Sequence, residues 1–399
     1  MTDVVVVAGG GLAGHAAALA AAEAGADVVL HEKQPDVGGS SALSGGGLLF
    51  AGTALQREAG VDDSAAALRA DLAEAGRGAS DPVLLDAYAD AQAGTYEWLA
   101  GLGAAFTLVG PRLHVLPQGA LVRLLHERAL ASPRIRYHAN SSVTALPGAQ
   151  VVLATGGFSR SPELIERLAP QCAGAVPMGG AGNTGDGLRM ALDRGAGLAG
   201  IEYVEASFGA SVTPGVPPRL LYAQFDGGVI VNAAGERFAD ERNDIKALGR
   251  ASAAQPGGTV YQVFDASVMA LSKETPAPRN FAAALRDGLL VSAASRPELA
   301  GVLGVPADAL ERSASGLTNP PYYAYACRAG LTTTYGGLRV DGSMRVLAHD
   351  SAVIPGLFAA GELVGGFHGA GYLVGSALGK AAVFGRLAGR HAAALPVLS

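Results

Sequence analysis

Gly9, Gly11 and Gly14 stand at the spacing G-x-G-x-x-G, and Glu32 follows Gly14 by 18 residues. Glycines so placed allow a tight turn, a close approach of backbone to a pyrophosphate, and close packing of a helix on a strand. An acid at that distance accepts hydrogen bonds from ribose hydroxyls, and its charge disfavours a 2′-phosphate. The chemistry on offer is dinucleotide binding, and the motif leaves FAD and NAD both open. The stretch Gly38-Gly39-Ser40-Ser41-Ala42-Leu43-Ser44-Gly45-Gly46-Gly47 comes next and reads as a loop, small enough for backbone to lie against a flat ring.

These residues need elements to hold them. Val4-Val5-Val6-Val7 predicts a short strand buried on both faces. An Ala-rich helix follows to about Glu23, with Gly25 as its stop, and Asp27–Glu32 forms a second strand. Residues 62–105 read as mostly helical, with Trp98 in the core. Gln118–Ala131 reads as a helix stopped by Pro133, and Arg134–His138 as a strand. Gln150–Leu153 is a further strand, and Ala154-Thr155-Gly156-Gly157 brings it back to the nucleotide. From 208 to 328 the β-α alternation fades and prolines gather at 214–218, as expected for a separate domain inserted into the first. A long helix runs from about Ser376 to Ala394.

Composition excludes several classes. The 399 residues are 49% hydrophobic and 16% charged, enough for a large core in two or three domains. A net charge of −6 with scattered basic residues argues against a nucleic-acid partner. Two cysteines, Cys172 and Cys327, cannot build a disulfide framework, a Cys-rich zinc site or an iron–sulfur cluster, and no metal is expected. A strand beginning at Val4 leaves no room for a secretory leader, and no apolar run is long enough to span a membrane. A cytoplasmic location is the expectation.

Five ordered segments carry a more specific signal. They are Gly9–Gly14 with Glu32; Gly38-Gly39-Ser40-Ser41 with Ser44-Gly45-Gly46; Ala154-Thr155-Gly156-Gly157; Gly182-Asn183-Thr184-Gly185-Asp186-Gly187; and Gly356-Leu357-Phe358-Ala359-Ala360-Gly361-Glu362. Together they resemble the flavoprotein family of fumarate reductases, succinate dehydrogenases and 3-ketosteroid dehydrogenases over nearly the whole chain. The resemblance implies an α/β fold: a Rossmann-like FAD-binding domain of the glutathione reductase type (1–207 and 329–399) with an inserted α+β capping domain (208–328). It implies FAD, held by Gly9, Gly11, Leu12, Ala13, Gly14, Glu32, Lys33, Gly39, Ser40, Ser41, Ser44, Gly46, Ala154, Thr155, Gly156, Asp186, Gly361 and Glu362. Ser376, Ala377 and Leu378 match the turn into the last helix, whose N–H groups face the pyrimidine end of the flavin. Family members with covalent FAD carry a His before the Gly-rich loop; Ser40–Gly47 contains none, so the resemblance implies noncovalent FAD. Gly235-Glu236-Arg237-Phe238-Ala239-Asp240-Glu241 matches a cap motif in which Arg237 and Glu241 brace one another.

The substrate positions depart from the fumarate reductase pattern. H-G-x-N-R-L-G-G becomes His368-Gly369-Ala370-Gly371-Tyr372-Leu373-Val374-Gly375, so Tyr372 replaces an Arg. Thr333 replaces a His that would bind carboxylate, and Ile245 stands where an Arg carries the proton. Losing these cations argues against fumarate or succinate. Tyr372 instead resembles the ketosteroid dehydrogenases, in which a Tyr hydroxyl and the backbone N–H four residues on, here that of Ser376, hold a substrate ketone. A phenol donor suits a neutral carbonyl better than a dianion. The segment Pro321–Gly337 is also similar to tricarballylate dehydrogenase, which keeps a carboxylate substrate open with Arg328 as anchor. Tyr323 and Tyr335 are candidates for proton transfer, with Asp244 or Arg242 as alternatives, and His368 lines the flavin pocket or the core.

The expected function is therefore FAD-dependent oxidation or reduction of a CH–CH bond α,β to a carbonyl, on a small-molecule carbonyl substrate. An oxidase of an amine or hydroxy acid, and an inactive flavin-binding protein, are the alternatives. No second nucleotide fingerprint exists, so the electron donor or acceptor stays unidentified.

Overall fold

The valine run forms β1 (Val4–Ala8), which enters the helix α1 (Leu12–Glu23) and returns as β2 (Asp27–His31). In this computed structural model, which describes residues 4–146, 150–274 and 277–395, the chain divides into two units. The first comprises the described residues up to Pro170, Gly179–Val204, and those from Thr333 onward. Its labelled helices are α1, α2 (Gly39–Leu43), α3 (Ala65–Ala75), α4 (Pro82–Gly101), α5 (Ala120–Ala131) and α6 (Ser376–Ala394). Its further strands are β3 (Ile135–His138), β4 (Gln150–Leu153), β5 (Arg345–Leu347) and β6 (Val353–Ala359), giving a six-stranded sheet in the order β5-β6-β4-β1-β2-β3. Every pairing is parallel except β5 with β6. β4 is buried at all four positions, as a central parallel strand must be, whereas in β1 only Val5, Val7 and Ala8 are buried.

α1 is buried at eleven of its twelve residues. A helix buried on almost every side belongs inside a fold, and one of its neighbours here is α6. A Cβ added at Gly385 would come within 2.4 Å of the Ala13 carbonyl oxygen, and one at Gly389 within 2.1 Å of that of Ala17. Two backbones therefore touch where side chains normally intervene. α4 begins on Asp81, which caps Val83 N–H, followed by Pro82, a residue suited to the first turn. Trp98 near its end is half-buried rather than in the core. Its indole N–H bonds Glu23 at 2.9 Å, and the Arg386 guanidinium lies 5.3 Å from the ring centre.

Residues Gln171–Met178 and Glu205–Thr332 make the second unit. Its sheet runs Ser207–Ser211, Tyr322–Leu331, Val260–Asp265, Val229–Val231, with these neighbours antiparallel, and Val176–Pro177 joins it in parallel. Phe208, Phe264, Phe281 and Tyr325 centre one core cluster, and Val263, Leu299, Leu310 and Tyr322 lie in another. The expected limits at 207/208 and 328/329 differ from these by a few residues, because each strand goes wholly to one unit. Residues 171–178 join the second unit because Val176–Pro177 pairs with Gly330–Leu331.

Candidate active site

The three glycines of the fingerprint do different work. Gly9 has φ +112°, and its Cβ would lie 2.3 Å from the Ala154 oxygen; a Cβ on Gly14 would lie 1.8 Å from that of Gly9. Both are required by the chain itself. Gly11 is different: its Cβ would meet nothing nearer than 3.8 Å, from Gly38 O and Ser41 Oγ. That side is open for a ligand. Leu12 N–H reaches Ser41 Oγ at 3.2 Å, whereas Ala13 and Gly14 N–H have no protein acceptor among the described residues. A helix start with N–H groups left over is suited to a phosphate. Leu12, Ser41, Gly46, Pro117, Val122 and Leu378 border a small cleft at this place. A larger cleft of about 540 Å³ opens by Glu163, Arg167, Arg189 and Asp193, and carries none of these groups.

Glu32 is buried at the end of β2, where its carboxylate accepts from Gly10 N–H and Gln34 N–H, both at 2.7 Å. Lys33 turns to Asp186 and Thr184 Oγ1, each at 2.5 Å, tying the two predicted cofactor residues to one another. Burial raises the Asp186 carboxyl pKa, but Lys33 and Thr184 outweigh it and hold the group below the usual range. Residues 39–43 form a short helix instead of a loop, since Gly38 at φ +108° aims its carbonyl at Ser41 and Ala42 N–H. Ser40 Oγ there accepts from Gly180 N–H (3.0 Å) and Asn183 Nδ2 (3.1 Å). Asn183 Nδ2 also donates to Glu362 at 3.0 Å, and the same carboxylate accepts from Thr334 N–H at 2.9 Å. Sequence reasoning did not assign Asn183 and Thr334, although the motif 182–187 contains the first. The Thr155 and Ser159 hydroxyls are buried with no partner among the described residues. Open Gly11, spare N–H groups and orphaned hydroxyls on one unit fit a bound dinucleotide.

Behind this turn, His15 is fully buried, with Nδ1 at 3.0 Å from Gly11 O and Nε2 at 3.0 Å from His126 Nδ1. Donation to Gly11 leaves Nε2 to accept from His126, so a second proton on His15 would face the His126 N–H. Burial, with the Gly11 carbonyl opposing it and His126 reinforcing it, lowers the pKa of His15 from 6.5 to about 4. The neutral form is the folded form. Stability from this group is full above pH 6.5 and is lost as pH falls toward 4, on the order of 3 kcal/mol. Unfolding free energy of wild type should fall steeply over that window, and a His15→Met variant should lack this component. Parallel pH profiles for the two would refute the assignment.

The other end of the site is aromatic. Tyr335 and Tyr372 stack at 5.7 Å and 15°, and the His368 ring lies 5.1 Å from the first and 5.5 Å from the second. His368 Nδ1 is 3.3 Å from Ser376 Oγ. Tyr372 is 39% exposed as a residue. Burial raises its pKa, and the N–H groups of Gly375 and Ala377 partly offset this. The Ser376 N–H, expected to hold a ketone, donates instead to Leu373 O at 3.0 Å. The loop is braced from α3 and α4: Ala370 N–H bonds Gly76 O (3.1 Å), and Asp81 N–H bonds Gly366 O (2.8 Å). Gly371 must be glycine, because its Cβ would lie 1.9 Å from the Ala75 oxygen.

The structure thus brings Tyr335, His368, Tyr372 and Ser376 together. The remaining candidates lie in the second unit, engaged with neighbours there. Tyr323 stacks on Phe264 at 5.5 Å within a core cluster. Arg328 bonds Thr259 Oγ1, Asp244 caps the helix beginning at Ile245, and Arg242 pairs with Asp240. Arg237 and Glu241 are joined by two bonds, and Glu241 also accepts from Ile230 N–H.

The FAD binding domain family matches this chain over residues 3–131 and 112–378. The chain belongs to that family. Among its relatives are a cytochrome-type fumarate reductase of Shewanella frigidimarina, 30% identical over 98% of this chain and 77% of the relative, and a urocanate reductase of Eggerthella lenta, 29% identical over 99% and 75%. The open conformation of a flavocytochrome c3 fumarate reductase superposes with a TM-score of 0.88, at 30% identity over 98% of this chain and 78% of that one. A 3-ketosteroid-Δ4-(5α)-dehydrogenase of Rhodococcus jostii RHA1, with 4-androstene-3,17-dione, gives 0.71 at 25% identity over 98% and 97%. This member of the FAD binding domain family is an FAD-dependent oxidoreductase acting on CH–CH groups. No helix among the described residues is long and apolar enough to cross a membrane.

Proposed function

We propose that the protein moves hydrogen across a CH–CH bond beside a neutral carbonyl, and that Tyr372 binds the carbonyl oxygen. The observation that supports this is the ring group Tyr335, His368 and Tyr372, whose ring centres lie 5.1–5.7 Å from one another. Tyr372 and Thr333 occupy positions where the fumarate reductase pattern has its carboxylate-binding Arg and His. Bound FAD supplies the two-electron acceptor or donor. The Tyr372 hydroxyl donates to the carbonyl as negative charge develops on its oxygen, the term that usually contributes most to such catalysis. His368, fixed through Nδ1 by Ser376, stands beside it and carries the α-proton; an imidazole has a ring nitrogen able to accept and return a proton in that transfer. FAD is held noncovalently, and the two buried cysteines, neither of them in a disulfide, support a cytoplasmic location.

The test is an anaerobic titration of the holoprotein with saturated cyclic ketones and with carboxylic acids, following the visible flavin band. Bleaching by a ketone and not by acids is expected for a dehydrogenase, and reoxidation of dithionite-reduced protein by an enone for a reductase. Acid precipitation should leave the flavin in the supernatant. A response to dicarboxylates alone would overturn the neutral-carbonyl reading.

A further inference from the structure

Lys380 is a buried cation with no part in the machinery described so far. It lies on α6 one turn beyond Ser376 and is 2% exposed. Its ammonium donates to the Val364 carbonyl at 3.0 Å and sits 6.0 Å from the centre of the Phe367 ring. No carboxylate is within salt-bridge distance of it among the described residues. Glu362 attracts it from further off, and that carboxylate is already bonded to Asn183 and Thr334. One carbonyl uses one of the three ammonium donors. Burial lowers the pKa to about 8, against the pull of Glu362, so the group stays mostly charged at neutral pH.

An ammonium removed from water without an ion pair is strongly disfavoured, and an apolar side chain of similar length would fill the same space at lower cost. The next residues on this face of the helix are apolar: Val383 and Phe384 are both buried. The unit that holds the charge is the one that binds FAD, and the first turn of α6 supplies the expected flavin contacts Ser376, Ala377 and Leu378. Reduction puts negative charge on a flavin ring that is neutral when oxidised. In surroundings of low dielectric a cation acts on such a change without contact, and with little screening by salt.

We propose that Lys380 provides a fixed positive charge to the flavin site, favouring the reduced flavin over the oxidised one and so raising its two-electron potential. It acts through its field on the bound ring and is not a catalytic residue. The helix start above it carries partial charge of the same sign, so the two add.

Sulfite tests this without substrate. It forms a bond to N5 of oxidised flavin and leaves negative charge on the ring, so its affinity follows the local positive charge. In the holoprotein, Lys380→Met should bind sulfite about tenfold more weakly and show a two-electron midpoint about 30 mV lower, at 29.6 mV per tenfold. Lys380→Arg should stay within about threefold of wild type. Both variants should hold oxidised FAD as wild type does. Sulfite binding by Lys380→Met within about threefold of wild type would overturn the proposal. So would a Lys380→Met protein that fails to fold or to retain oxidised FAD, which would make Lys380 part of the scaffold.

Discussion

Tyr372→Phe is expected to lower kcat by about 10²–10³ while the protein stays folded and yellow. The substitution removes one oxygen. The ring remains, so its stacking on Tyr335 and its contact with His368 are kept. What is lost is the hydroxyl that the proposed reaction aims at the carbonyl oxygen. A donor matched to developing charge acts mainly in the transition state, so kcat should fall much more than KM rises. Steady-state rates with the ketone found by titration, alongside the flavin spectrum, give the measurement. A loss smaller than about tenfold would mean that Tyr372 packs and does not bind the carbonyl.

Gly389→Ala is expected to destabilise the protein by about 1–3 kcal/mol and to weaken FAD retention. Alanine normally improves a helix interior by up to about 1 kcal/mol over glycine. Here the sign reverses, because the added methyl would meet the Ala17 carbonyl oxygen at 2.1 Å, and backbone cannot step aside as a side chain can. Pushing α6 away also displaces α1, whose first turn carries the N–H groups that have no protein acceptor among the described residues. Gly301→Ala is the control: that glycine is inside the helix Arg296–Leu303 and its Cβ would meet nothing within 4 Å. It should stabilise. Denaturant melts of both variants decide the matter, and equal stability would refute the close-contact account.

Much of the nucleotide half was legible because it is local. The order β1, turn, α1, β2 is written in consecutive residues, and Gly9 and Gly14 are glycine for reasons inside that unit. The neighbourhood of Tyr372 with His368 and Ser376 follows for a related reason, since one local motif carries all three. The differences have two sources. The Ser376 N–H was expected to face substrate, but a local turn gives it to Leu373 O, three residues earlier; the others come from long-range contact. Ser40 looked like part of a slack loop until its hydroxyl met Gly180 and Asn183, some 140 residues on. Val176–Pro177 has no strand periodicity at two residues and is a strand only because Gly330–Leu331 pairs with it. Trp98 reads as core by type; its half-exposed place depends on Glu23 and Arg386, which no local pattern links to it.

The contact of α1 with α6 joins residues separated by more than 350 positions. On the ribosome, the first strand and helix emerge long before the partner that covers Ala13 and Ala17 has been made. Until then the alanine-rich face of α1 that α6 covers stays open, and the glycine turn ahead of it lacks part of the support that fixes its direction. A chain truncated short of α6 should therefore be sensitive to protease along the segment that holds α1, whereas the full chain should resist.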